Sequence, residues 1–84
     1  MRIIMHLIEE VNRKGFFFAG YKNGTPVWTK YSVDAERWQD EQKAMKEAER
    51  IAQIGIPCKV VTDRRKLVKI FFRASDAQDG SESE

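Results

Sequence analysis

Asp40-Glu41-Gln42-Lys43-Ala44-Met45-Lys46-Glu47-Ala48-Glu49-Arg50-Ile51-Ala52-Gln53-Ile54-Gly55-Ile56-Pro57 is the stretch on which the fold turns. Ala44, Met45, Ala48, Ile51 and Ala52 recur at the spacing of one helical face, so a helix is expected from Glu41 to Ile54. Its opposite face mixes glutamine with charge and sets Lys43 four residues before Glu47, a pair that supports an isolated helix. Asp40 is an N-cap: its carboxylate can accept the unpaired amides of the first turn. Gly55 suits the left-handed residue that closes a helix, and Pro57 forbids continuation. Three of the inward residues are alanines, so the helix can lie close to whatever it covers, and it covers little area.

Outward from the helix, both flanks read as strands. Upstream, the aromatic run Phe16-Phe17-Phe18-Ala19-Gly20-Tyr21 suits a strand. Asn23-Gly24 is a hairpin turn, and Val27-Trp28-Thr29-Lys30-Tyr31 is the return strand with Pro26 at its start. Ser32 to Trp38 reads as a short helical turn with Ala35 and Trp38 inward. Residues 2–14 fit two descriptions, since Ile3, Ile4, Leu7, Ile8 and Val11 also make a helical stripe. A strand is preferred, because Asn12-Arg13-Lys14-Gly15 has hairpin length and the aromatic strand needs a neighbour. Downstream, Cys58–Thr62 and Leu67–Arg73 are strands joined by the basic turn Asp63-Arg64-Arg65-Lys66. The expectation is an α+β domain over residues 1–73, ordered β-β-β-α-β-β. Its antiparallel sheet of four to five strands carries one amphipathic helix on one face. Residues 74–84 hold no large apolar side chain and are expected to be a disordered acidic tail.

With 84 residues there is room for one domain, and its small core makes association with a partner favourable to stability. The longest apolar run is Phe16 to Ala19, far short of the roughly 20 residues of a membrane helix. Arg2 is followed by an apolar stretch too short for a secretory leader, so the cytoplasm is the expected location and no membrane association is expected. A single cysteine excludes an internal disulfide and a four-cysteine zinc site. The net charge of +2 hides a pattern: residues 1–33 carry +3, 34–55 carry −2, 56–73 carry +5 and 74–84 carry −4.

Catalytic chemistry finds no constellation here. His6 is the lone histidine and no nucleophile motif accompanies it, so it reads as a surface or hydrogen-bonded strand residue. Cys58 beside Lys59 reads as a small buried hydrophobe. Glu9 and Glu10 point to opposite faces of a strand and cannot serve one substrate as an acid–base pair. The glycines are scattered rather than gathered in a phosphate loop. No enzymatic activity, cofactor, metal or small-molecule substrate is expected.

What remains is surface. Six of the nine aromatic residues lie between Phe16 and Tyr31. Simple alternation sets Phe16 and Phe18 on one face and Phe17 and Tyr21 on the other. In the last strand it groups Leu67, Lys69, Phe71 and Arg73 opposite Val68, Ile70 and Phe72. One helix covers one side only, so an apolar and basic patch is expected on the other, near Phe17, Tyr21, Trp28, Lys69, Phe71 and Arg73. A protein partner, or a second copy in a homodimer, fits that composition. Nucleic acid is the alternative, with Lys59, Arg64, Arg65, Lys66, Lys69 and Arg73 as phosphate contacts beside stacking aromatics. The acidic tail reads either as a solubilising terminus or as a segment that folds back on the basic patch.

The segments Phe17-Phe18-Ala19-Gly20-Tyr21, Gly24-Thr25-Pro26-Val27-Trp28-Thr29, Ala35-Glu36-Arg37-Trp38, Ala44 through Ala52, Gly55 and Lys59-Val60-Val61 together resemble a type of small bacteriophage and prophage protein. The resemblance spans Phe16 to Val61, about half the chain, and the basic strand at 64–73 and the acidic tail depart from it. Proteins of this type mostly have no assigned activity, so no functional residue carries over. The resemblance implies a setting in which a protein without catalytic residues inhibits a host enzyme or defence complex, or regulates transcription.

Overall fold

Asp40 starts the helix as its side chain dictates. Its Oδ1 accepts the amide hydrogen of Gln42 at 2.9 Å, and α1 runs Glu41–Gln53. At the other end Gly55 takes φ 104°, and the Ile56 amide reaches back to the Ile51 carbonyl. Ala44, Ala48, Ile51 and Ala52 are buried, as their spacing predicts. The computed structural model describes residues 3–72, so the acidic segment 74–84 and Arg73 lie outside the described residues.

Five strands make one antiparallel sheet: β1 His6–Glu10, β2 Phe17–Lys22, β3 Thr25–Thr29, β4 Cys58–Thr62 and β5 Leu67–Phe71. Their spatial order is β3-β2-β1-β4-β5. Residues 6–10 are thus the central strand, which decides between the two sequence readings of the N-terminal stretch. A helix there would leave β2 and β4 without their common neighbour. The β2–β3 turn has Asn23 at φ 54° and Gly24 at φ 79°, the twist a two-residue hairpin needs.

Ile8, Phe18, Cys58 and Val60 face α1 and form the core with Ala44, Ala48 and Ile51. The alanines let the helix backbone approach the sheet, and Phe18 fills the space beside it. Phe18 meets Tyr21 and Trp28 edge-on at centroid distances of 5.0 and 5.9 Å and stacks with Trp38 at 6.1 Å. Such contacts add roughly 0.5–1.5 kcal/mol each beyond area burial.

Two bulges correct the face assignments that alternation predicts. In β2, Phe18 pairs with Trp28 and Gly20 with Val27, so Ala19 is an extra residue and the pleat shifts. Tyr21 therefore joins Phe18 on the helix side rather than Phe17 on the other, and its hydroxyl donates to Glu47 of α1. In β5, Val60 pairs with Lys69 and Val61 with Leu67, so Val68 is the extra residue. Val68 and Phe71 both pack against the core, while Leu67 and Ile70 share the opposite face.

A third irregularity sits between β1 and β2. The two strands meet at Glu9↔Phe17, but the inner edge of β1 at His6 is taken by Trp38 instead. The His6 amide donates to the Trp38 carbonyl at 2.7 Å, and the Trp38 amide donates back at 2.9 Å. Next to it the Glu36 amide donates to the Phe18 carbonyl. Residues 36–38 are a wedge driven between β1 and β2. The 3-10 turn Ser32–Asp34 precedes it, and the Arg37 guanidinium ties back to the Ser32 carbonyl at 2.9 Å.

Candidate binding cleft

The face of the sheet turned away from α1 holds a cleft of about 560 Å³. Its floor is aliphatic: Leu7, Val61, Leu67 and Ile70, with Phe17 as its single aromatic. The residues come from β1, β4, β5 and β2, and strand alternation gathers them, since Leu7 pairs with Val61 and Val61 with Leu67. Leu7 and Val61 are buried at the bottom, whereas Leu67 and Ile70 are 55% and 40% exposed at the side.

Cations ring the floor. Lys14 comes from the β1–β2 loop, Lys30 from the end of β3, Lys59 from β4, Arg65 from the β4–β5 turn and Arg37 from the wedge. The wedge explains how Arg37 reaches this face: Trp38 turns to the core, and the preceding residue turns the other way. Two acidic residues, Glu9 and Asp63, also line the cleft. Glu9 is already engaged, with its Oε2 accepting from the Gly15 amide at 2.6 Å and its Oε1 lying 3.8 Å from the Lys59 ammonium. That carboxylate fixes the hairpin loop, in which Gly15 holds φ 91°, and offers little to a ligand. Among the described residues no carboxylate pairs with Lys14, Lys30 or Arg65.

Arg65 is held in the left-handed region at φ 62°, where its amide donates to the Thr62 carbonyl. That conformation costs an L-residue about 1–2 kcal/mol and is the usual place for glycine. The long side chain of Arg65 lines the cleft.

The predicted patch divides between the two faces. Phe17 lies in the cleft. Tyr21, Trp28, Lys69 and Phe71 lie on the helix side, with the Lys69 ammonium 5.6 Å from the centre of the Phe71 ring. Of the predicted phosphate contacts, Lys59 and Arg65 enter the cleft and Lys69 does not; Arg64 and Lys66 are exposed in the turn. The sequence reading missed Lys14, Lys30 and Arg37, which reach the cleft from loops and the wedge, beyond the range of strand periodicity.

The two candidate reactive side chains are structural. His6 is buried, with Nδ1 3.2 Å from the Trp38 carbonyl oxygen, to which it can donate, and Nε2 4.0 Å from Glu41. The Cys58 thiol donates to the Ala48 carbonyl at 3.2 Å, and burial, aided by the Glu10 charge, pushes its pKa up to about 12. A thiol so protonated is a poor nucleophile. Among the described residues no group of three or more His, Cys, Asp or Glu side chains is placed to hold a metal ion. No helix among them is long and apolar enough to cross a membrane. Comparison with known proteins found no matching family, no matching curated protein and no matching solved structure.

Proposed function

We propose that this chain is a non-enzymatic binding module that takes an acidic, aliphatic-bearing protein segment into the cleft on the uncovered face of its sheet. The observation that carries this reading is the combination of an aliphatic floor with five cations around it. The volume is within the range of small-molecule sites. A small molecule, however, is oriented by fixed polar groups converging on it, and of the two carboxylates lining the cleft Glu9 is already bonded to Gly15 and Lys59. Long cations around an aliphatic floor suit a peptide whose leucine-type side chains enter and whose carboxylates meet the rim.

Nucleic acid is the second reading, favoured by the cations. Sheet-face binders of single strands rely on several aromatic platforms for the bases. Here Tyr21 and Trp28 turn to the helix side with Phe18, which leaves Phe17 as the single aromatic lining the cleft and weakens that reading. A homodimer joined cleft to cleft is disfavoured by like charge. In the phage setting that the sequence resemblance implies, the partner is a host enzyme or defence complex whose acidic segment is captured, and the module acts as an inhibitor or accessory protein.

The test is direct. Three probes are titrated into the full chain at low and moderate salt: a peptide alternating leucine and glutamate, its leucine–glutamine counterpart, and a single-stranded thymidine oligonucleotide. The Leu–Glu peptide should bind best, weaken with salt, and shift the amide resonances of Leu7, Phe17 and Val61. Tighter binding of the oligonucleotide would give the nucleic-acid reading first place. Silence of those three residues towards every probe would sink the cleft as the binding site.

A further inference from the structure

We infer that the acidic segment 74–84 of this same chain is a built-in competitor for the cleft, a regulation that rests on reading the cleft as the binding site. Three observations meet here. The cleft rim is cationic, and the segment carries Asp76, Asp79, Glu82 and Glu84 with no basic residue. The chain leaves the sheet at the correct end. Phe71 pairs with Cys58 and Cys58 with Glu10, so Phe72 emerges beside the end of β1 that leads into the Lys14–Gly15 loop. Thr29, which precedes Lys30, pairs with Phe17 and so lies at that same end, and Lys59 is one residue along β4 from Cys58.

The reach also fits. Five strands at about 4.8 Å spacing make a sheet about 19 Å across. At about 3.3 Å per extended residue, Asp76 reaches about 13 Å from Phe72, past Lys59 on the neighbouring strand. Asp79 reaches about 23 Å, enough to arrive at Lys30 on the far side. Being tethered, the segment meets the rim at a high effective concentration, although each exposed ion pair is weak. With no large apolar side chain, it neutralises cations without filling the floor. It therefore yields to a partner that brings both carboxylates and aliphatic groups, and screens out one that brings charge alone.

The experiment compares the full chain with a full-length variant carrying Asp76→Asn, Asp79→Asn, Glu82→Gln and Glu84→Gln. Without any partner, the two amide spectra should differ at Lys14, Gly15, Lys30 and Lys59 and agree at Ala44 and Ile51. Raising the salt should move the native spectrum towards the variant. The variant should also bind the Leu–Glu peptide about threefold or more tightly at low salt. Spectra that coincide over residues 3–72, differences confined to the helix side, or an unchanged peptide affinity would each overturn the inference. If the rim residues differ but neither protein binds the peptide, the competitor stands and the proposed partner class falls.

Discussion

The two faces of the sheet are made from the same five strands and behave as different materials. The helix side is closed and aromatic, with Phe18 at 2% exposure touching Tyr21, Trp28 and Trp38. The cleft side is aliphatic at its floor and cationic at its rim. The bulge at Ala19 brings a third aromatic of β2 and β3 under the helix, and the bulge at Val68 adds an aliphatic contact there. Packing is thereby concentrated on one side, and the other is left with groups suited to recognition. A domain this small needs that concentration, because its core has little area to spare.

Deleting the same side chain on either face should have very different costs. Phe18→Ala should cost about 3–5 kcal/mol, enough to unfold a small domain near physiological temperature. Phe17→Ala, at a half-buried position, should cost about 1 kcal/mol and abolish the shift at the cleft when the Leu–Glu peptide is added. Urea unfolding of both variants measures this, and equal losses would mean that the faces are energetically alike. A smaller effect tests the close approach of the helix. Ala48→Leu should destabilise by about 1–3 kcal/mol through overpacking against the sheet while leaving the cleft intact.

Alkaline pH should weaken the helix side by a milder amount. Burial raises the folded pKa of Cys58 from 9.0 to about 12, and burial with the Glu47 hydrogen bond raises that of Tyr21 from 10.0 to about 12. The unfolded chain releases both protons first, so stability is whole below about pH 9 and falls as pH rises towards 12. Urea midpoints should follow that course, with a shallower decline in Cys58→Ala. The smallest expected change is a gain. Arg65→Gly relieves the left-handed conformation and should stabilise by up to about 1 kcal/mol while weakening the Leu–Glu peptide. A loss of stability would show that Arg65 is held there for packing.

Much of the frame was legible because it is local. The Asp40 cap, the alanine spacing, Gly55 and the Asn23-Gly24 turn each act within a few residues, and the elements appear where those signals point. The division of the site between two faces was not legible by alternation, since one extra residue reverses everything after it. One sign was present: Gly20 sits inside a strand at φ 120°, and a glycine there often accompanies a bulge. The wedge had no such sign. His6 and Trp38 are 32 residues apart, and their pairing answers a backbone need that β2 leaves unmet.

That wedge also makes the molecule its own optical reporter. Arg37 lies in the cleft, and the next side chain, Trp38, stacks on Phe18 in the core, so a ligand that pulls on one tugs the peptide plane that carries the other. Occupancy of the open face should therefore be readable, without any added label, as a change in the emission of an indole on the opposite side of the sheet.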